Sequence, residues 1–177
     1  MFLREENILS SGGLFVKKEW KTYLFWILLT EGTGFLAAFL TRDGMVQFQK
    51  TAAKPSFMPP AIVFQVVWPF LYALMGIGIA KVWLTAPRGV RQTGINLFIA
   101  QLIFQFFWPL LFFNANAYGL SFYWLILLWV LILLMILAFR QSDRAAALLQ
   151  IPYWIWVSFG LLLNGSVWKL NWCVCLA

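Results

Sequence analysis

Residues 54–83 read KPSFMPPAIVFQVVWPFLYALMGIGIAKVW, and this stretch decides the class of the fold. Pro59 and Pro60 fix their own φ angles and lack a backbone donor, so they suit a rigid turn and the first position of a helix. About 25 apolar residues follow, more than the roughly 20 that a helix needs to cross a bilayer. The stretch therefore predicts a stiff loop that leads directly into a membrane-spanning helix.

The composition of the whole chain supports a membrane protein. Hydrophobic residues make up 63% and charged residues 11% of the sequence, whereas about 25% of the residues of a soluble domain are charged. The net charge is +7, but the basic residues lie between apolar runs. We interpret them as topology signals and as contacts with anionic lipids, and we expect no nucleic acid as a partner.

Four further apolar runs are long enough to cross the membrane. We predict spans at about residues 21–41, 60–84, 94–113, 119–139 and 145–169. A polar and glycine-rich stretch at 30–34 interrupts the first span. In the fifth span, Pro152 is tolerable near the start of the helix and would otherwise kink it. Ser142 or Asp143 can cap that helix.

The fold class is therefore an all-α integral membrane protein, built as a single bundle of five transmembrane helices. The predicted organisation is a cytoplasmic N-terminal segment, the five-helix domain and a C-terminal tail, at residues 1–20, 21–169 and 170–177.

The distribution of basic residues predicts the orientation of the bundle. The first residues lack the apolar run and cleavage site of a signal peptide. The N-terminus, second loop and fourth loop carry nine Lys and Arg, namely Arg4, Lys17, Lys18, Lys21, Lys81, Arg88, Arg91, Arg140 and Arg144. The other side carries four, namely Arg42, Lys50, Lys54 and Lys169. By the positive-inside rule the N-terminus is cytoplasmic, while the first loop and the C-terminus lie outside.

Several kinds of chemistry find no support in the sequence. The chain has no histidine, the commonest metal ligand and general base. Cys173 and Cys175 have no partners for a zinc site or a disulfide framework, so we interpret them as incidental. Gly76 and Gly78 lie inside a membrane helix, where they favour close packing over phosphate binding. We expect no catalytic residue, no metal site and no required cofactor.

Glu31 is the carboxylate that falls near the middle of a predicted span. Because a charge in lipid is costly, such a residue is a functional hypothesis by default. One reading is a proton or cation relay, or a polar anchor for a ligand. The other is a protonated glutamate that hydrogen bonds to a neighbouring helix.

Two helix faces combine amide side chains with aromatic ones. Helical spacing places together Gln101, Gln105 and Trp108 on the third span, and Trp156, Gly160 and Asn164 on the fifth. These faces can line a cavity for a flat ligand with polar edges, or they can form interhelical hydrogen bonds and ordinary aromatic packing. From the residues alone, both readings stay open.

The tryptophans divide into two groups. Four lie near the predicted span ends and fit an interfacial aromatic belt, namely Trp20, Trp83, Trp168 and Trp172. Trp68, Trp108 and Trp156 lie deeper and need another explanation.

Short motifs run through the chain in a fixed order. They are Lys54-Pro55, Pro59-Pro60, Val67-Trp68, Leu71-Tyr72 and Met75-Gly76, then Gln101-Leu102, Trp108-Pro109 and Phe112-Phe113, then Pro152-Tyr153, Trp156 and Leu163-Asn164. In these residues, and over about residues 34–171, the sequence resembles the translocator protein/tryptophan-rich sensory protein family, also called TspO/MBR. The resemblance implies a five-helix membrane protein, often dimeric, with a cavity closed by the first loop. It also implies binding of porphyrins and other tetrapyrroles, sterols or aromatic drugs.

The resemblance also implies a set of ligand-binding residues. Carried over position by position, they are Ala38, Phe57, Pro59, Trp68, Gln105, Trp108, Leu120, Trp156, Gly160, Leu163 and Asn164. This implied pocket favours the cavity reading of the two amide-bearing faces.

The chain departs from the family pattern at several positions. Phe57 stands where the family has a tryptophan, Phe48 and Gln49 replace a Trp-Tyr pair, and Gln105 replaces an asparagine. Gly165 stands where many animal members have the tyrosine of a sterol motif, and only Asn96 and Ala100 remain of a small-residue dimer face. Cholesterol recognition and dimerisation lose support accordingly.

The leading hypothesis is a membrane receptor or sensor that binds a tetrapyrrole, a porphyrin or haem-like molecule, as a ligand. Trp108 and Trp156 would stack on the macrocycle, and Gln105 and Asn164 would hydrogen bond to its polar groups. The alternatives are an enzyme that degrades porphyrin with light and oxygen, and a transporter of porphyrins or lipid-like molecules. We also expect three other partners: a sterol-like ligand, membrane lipid and a second copy of the chain.

Overall fold

The computed structural model describes the backbone of residues 5–172 and the side chains of residues 19–172. Cys173 and Cys175, with most of the predicted C-terminal tail, lie outside the described residues. The helices are α1 (Glu5–Thr51), α2 (Ala61–Thr85), α3 (Arg88–Pro109), α4 (Tyr118–Arg140), α5 (Arg144–Leu148) and α6 (Ile151–Trp172), and a π-helical segment at Leu110–Asn114 follows α3.

Within the described residues, five helical stretches are long and apolar enough to cross a membrane. They are Glu19–Thr51, Ala61–Thr85, Arg88–Asn114, Tyr118–Arg140 and Arg144–Trp172. This confirms the prediction of an all-α, five-helix integral membrane protein.

The first span is longer than predicted. The expected end near residue 41 is wrong, because α1 continues to Thr51 and leaves only residues 52–60 as the first loop. The polar stretch at 30–34 does not interrupt the helix either. Thr30 Oγ1 lies 3.0 Å from the Trp26 carbonyl on its own helix and 2.8 Å from the Tyr72 carbonyl on α2. Its hydroxyl is thus satisfied without any break in the backbone.

The helices form a closed ring around one hydrophobic core. α1 packs against α2 and α3, α3 against α4, and α4 against α6. α2 completes the ring by contacting the fifth span more through the short helix α5 than through α6. The backbones of α2 and α6 therefore lie farther apart than those of the other neighbouring helices, and large side chains stand between them. The fully buried side chains at the centre include Met75, Ile79, Phe98, Leu128, Ile132, Met135 and Phe139.

Two glycines on α2 allow close helix packing, as their sequence position predicts. A Cβ atom at Gly76 would lie 2.6 Å from the Cα of Ile27 on α1, and a Cβ atom at Gly78 would overlap the Gln150 amide. Pro60, by contrast, is not the first helical residue. It caps α2 with ψ 152°, and the helix begins at Ala61.

The fifth span is broken where the sequence contains Pro152. α5 ends at Leu148, and α6 begins at Ile151 after a short turn. Pro152 has no N–H to donate to the carbonyl of Leu148, so the hydrogen bond that would join α5 to α6 at this point is missing. The turn carries Gln150, whose side chain is fully buried against α2.

Asp143 caps the N-terminus of α5. Of the two predicted caps, Ser142 and Asp143, the structure therefore has Asp143. Its Oδ1 accepts hydrogen bonds from the N–H groups of Ala145 (2.7 Å) and Ala146 (3.0 Å). Its Oδ2 lies 3.0 Å from Lys81 Nζ on α2. Partial desolvation raises the pKa of Asp143, but the bonds from Lys81 and the two backbone N–H groups outweigh it and hold the pKa below 3.8.

Two substitutions of Asp143 should distinguish the stability that it contributes as a helix cap from the stability that its ion pair with Lys81 contributes. Because its folded-state pKa is lowered, its contribution to stability is present above the unfolded value of 3.8 and is lost as the pH falls further. Asp143→Asn keeps a good capping side chain but removes the charge, whereas Asp143→Ala removes both. We expect alanine to cost about 1 kcal/mol more than asparagine in thermal unfolding at neutral pH. Equal unfolding midpoints for the two variants would contradict the assignment of Asp143 as the cap.

Candidate ligand site

A buried hydrogen-bond network lies between α3 and α6. The hydroxyl of Tyr153 is 2.9 Å from Oε1 of Gln101 and 3.3 Å from Oε1 of Gln105. Tyr153 and Gln101 are fully buried, and Gln105 is 3% exposed. The other end of the Gln101 amide reaches the sulfur of Met75 on α2 at 3.9 Å. The amide-bearing face of α3 therefore points into the bundle, as its spacing predicts.

Aromatic side chains from α2 and α6 border this network. The ring of Trp68 lies 5.7 Å from that of Tyr72 and 6.4 Å from that of Tyr153, between centroids. Nearer the first loop, Phe64 packs edge to face on Trp156 at 5.5 Å. Phe64, Trp68 and Trp156 are half-buried. They form a seam along the α2–α6 boundary.

A second polar corner joins α3, α4 and α6 through Asn164, which is 1% exposed. In the amide orientation that satisfies its neighbours, its nitrogen donates to the Tyr118 carbonyl at 2.9 Å, and its oxygen accepts from Ser121 Oγ at 3.0 Å and from Trp108 Nε1 at 3.3 Å. The indole of Trp108 is thereby held in one orientation. Asn164 thus connects the end of α3 to the start of α4.

The backbone is irregular directly after Trp108. Pro109 ends α3, and the next five residues form the π-helical segment. Such segments are rare and often mark functional sites. This one lets Phe112 stack on Trp108 at 5.3 Å while Phe113 meets Phe48 of α1 at 5.4 Å. The irregular turn thus brings α1 close to the Trp108 corner.

The first loop lies over the same end of the bundle. The Asn171 side chain on α6 accepts from the Ala53 N–H at 3.0 Å and donates to the Ala53 carbonyl at 2.9 Å. Met58, further along the loop, packs on a small cluster that includes Phe48 and Phe112. The start of the loop is therefore tied to the end of α6.

The structure brings together some of the predicted site residues. Those that line the interior or its seam are Trp68, Gln105, Trp108, Trp156, Gly160, Leu163 and Asn164. Ala38 and Leu120 are exposed on the outside of α1 and α4, Phe57 is 52% exposed on the loop, and Pro59 is half-buried there. The roles of all eleven residues remain predictions.

Sequence reasoning did not include several residues of the interior. Tyr72 and Tyr153 are buried there beside Gln101 and Gln105, and Phe64 closes the seam over Trp156. The signal for Tyr153 was present, because it precedes Trp156 by three positions and so shares its helix face. Nothing in the sequence distinguishes Phe64 from the other apolar residues of α2.

The chemistry available at this site is that of recognition. It offers an amide-rich, hydroxyl-bearing interior behind indole and phenyl rings. No group of three His, Cys, Asp or Glu side chains that can hold a metal occurs among the residues the structure describes. Glu31 on α1 is half-buried and lies about one turn before Gly34, which fits against the Tyr72 ring.

Comparison with known proteins places this architecture in a family. The sequence profile of the TspO/MBR family matches residues 26–169. The chain is 33% identical to the tryptophan-rich protein TspO of Chlorobaculum tepidum, over 88% of this chain and 99% of the relative. It is 27% identical to the tryptophan-rich sensory protein of Cereibacter sphaeroides, over 87% and 94% of the two chains. It is 33% identical to the human translocator protein, over 67% and 71%. The family match covers most of the chain and all five spans, and the protein is therefore an integral membrane protein that belongs to the TspO/MBR family.

Proposed function

We propose that the protein is a membrane receptor or sensor that binds a tetrapyrrole, or another flat hydrophobic ligand, between α2, α3 and α6 and beneath the first loop. The observation that carries this proposal is the buried group of Tyr153, Gln101 and Gln105 behind the half-buried rings of Trp68 and Trp156. Three polar side chains thus lie at one apolar centre, directly beside aromatic rings. A ligand with an apolar ring and polar edges uses both features.

The geometry supports one route and one mode of binding. A ligand from the membrane enters along the α2–α6 seam, where Phe64 and Trp156 separate. Its ring system then lies among indole rings, for which offset stacking is favourable. Gln105 and Asn164 supply amide donors and acceptors for carboxylate or pyrrole groups. The names of the relatives, which include a sensory protein and translocator proteins, agree with a small-molecule role.

A spectral titration tests this placement. Purified protein in detergent is titrated with protoporphyrin, and the shift of the porphyrin Soret band reports binding. We expect the Trp108→Ala/Trp156→Ala double variant to bind about tenfold more weakly or worse, because two ring contacts are lost. Trp20→Ala/Trp172→Ala serves as the matched control, since both tryptophans are more than half exposed near span ends. Wild-type affinity in a folded Trp108/Trp156 variant would disprove the placement.

The same samples distinguish a receptor from an enzyme or a transporter. A receptor gives one saturating spectrum that is the same in light and in darkness. A product spectrum that develops only under illumination in oxygen would instead favour photo-oxidative degradation. Porphyrin flux into proteoliposomes that disappears in Glu31→Gln would favour a transporter.

A further inference from the structure

A second recess lies at the opposite end of the first two spans. It is a groove of about 270 Å³ lined by Lys21, Thr22, Phe25, Trp26 and Trp83. Lys21 and Thr22 stand near the start of the first span, and Trp83 stands near the end of the second. The groove therefore lies at a membrane–water boundary, remote in the chain from the loop that covers the candidate ligand site.

The base of the groove is apolar and rigid. Trp26 is 6% exposed and packs on Trp83 and on Phe98, each at 5.7 Å between ring centroids. Phe25, on the outer edge, is 58% exposed and extends the surface toward lipid. A hydrocarbon chain can lie along these rings at the depth where aromatic side chains normally meet the upper part of an acyl chain.

The rim of the groove is basic. Lys21 is exposed on one side. Arg91 does not itself line the groove, but its guanidinium lies 5.9 Å from the ring centroid of Trp83, which does, and its Nε and Nη2 atoms donate to the Ala86 carbonyl at 3.2 and 2.8 Å. These two bonds use two of its five N–H donors. The ion pairs among the described side chains are Arg42–Asp43 and Lys81–Asp143, so neither Lys21 nor Arg91 is neutralised by a described carboxylate.

We propose that this groove is a specific binding site for an anionic phospholipid. The headgroup phosphate lies between Lys21 and Arg91, and the first acyl segments lie on Phe25 and Trp26. A phospholipid fits better than a soluble anion, because the recess combines a cationic rim with an aromatic base that faces the hydrocarbon. Arg88, Arg140 and Arg144 flank the same ends of the spans and add positive charge there, which favours a lipid with net negative charge over a zwitterionic one.

Native mass spectrometry of the full chain tests the site. Protein in detergent is incubated with equal amounts of phosphatidylglycerol and phosphatidylcholine, and retained lipid is counted. We expect the wild type to retain phosphatidylglycerol preferentially, and Lys21→Gln/Arg91→Gln to lower that retention about 25-fold, at about fivefold for each charge removed. Lys50→Gln/Lys169→Gln removes two exposed charges near the other ends of the spans and should leave the preference unchanged.

Two further measurements keep the test decisive. Because Arg91 also bonds to the backbone, the single variant Lys21→Gln, at an exposed position, should by itself lower retention about fivefold. Soluble glycerol phosphate in excess should not displace the lipid. Unchanged retention in Lys21→Gln, an equal loss in the control pair, or displacement by glycerol phosphate would overturn the proposal. None of these outcomes depends on whether porphyrin binds.

Discussion

Gly76→Val is expected to prevent the first two spans from packing and to remove most of the folded protein. A Cβ atom at position 76 would lie 2.6 Å from Cα and 2.8 Å from N of Ile27, so the clash is with backbone and not with a movable side chain end. To relieve it, α1 and α2 have to move apart. That movement breaks the contact of Thr30 with the Tyr72 carbonyl and opens the core around Met75.

The size of this effect exceeds that of an ordinary core substitution. Overpacking usually costs about 1–3 kcal/mol, and a clash with rigid backbone adds to that. Helix association in membranes also depends on small residues at the contact. We expect little monodisperse protein in size-exclusion chromatography of detergent extracts. Gly32→Val is the matched control on α1, since a Cβ there meets nothing within 4 Å, and it should elute like the wild type. If Gly76→Val elutes normally and keeps its thermal stability, α1 and α2 lie farther apart than the contact between Gly76 and Ile27 requires.

The number of spans and the inward faces could be predicted because each depends on local pattern. Apolar length alone identifies a membrane helix, since every backbone group in lipid must be satisfied within the segment. Helical spacing then places Gln101 and Gln105 on one face, and both are buried. The same local logic offered Ser142 or Asp143 as a cap, because a short polar side chain before an apolar run suits free backbone N–H groups, and Asp143 is the one that caps α5.

The true end of α1 could not be predicted, because tertiary contacts hold it in place. Residues 42–51 are mostly polar and look like a loop. In the structure, however, Phe48 is buried against Phe112, and the Asn114 side chain donates to the Leu40 carbonyl at 3.0 Å. These partners lie more than 60 positions away in sequence. No periodicity within α1 reveals them.

In the candidate site, too, the residues set by helical spacing could be predicted, whereas those set by contacts between helices could not. Residues on the predicted faces, such as Trp108 and Asn164, do meet inside the bundle. Tyr72 belongs to the interior because Gly34 of α1 fits directly against its ring, and this pairing is between helices. Side-chain partners across helices depend on rotation and tilt, and one sequence contains little information about either.

Asn164→Leu should loosen the corner where α3, α4 and α6 meet. Leucine matches asparagine in size but can neither accept from Trp108 Nε1 and Ser121 Oγ nor donate to the Tyr118 carbonyl. Each buried polar group left without a partner costs about 1–3 kcal/mol. We expect a clear fall in the thermal unfolding midpoint. Because the Trp108 indole is no longer held, we also expect porphyrin affinity to fall about tenfold in the Soret titration.

Asn96→Leu distinguishes this network from a general effect of removing an amide. Asn96 is exposed on α3 and bonds at 2.8 Å only to Gln92, one helical turn earlier, among the described contacts. Its loss should change stability by less than about 0.5 kcal/mol. If Asn164→Leu is destabilised but still binds porphyrin normally, the corner is structural and the ligand does not contact Trp108. If both variants behave like the wild type, Asn164 does not link the three helices, and the orientation of Trp108 has another cause.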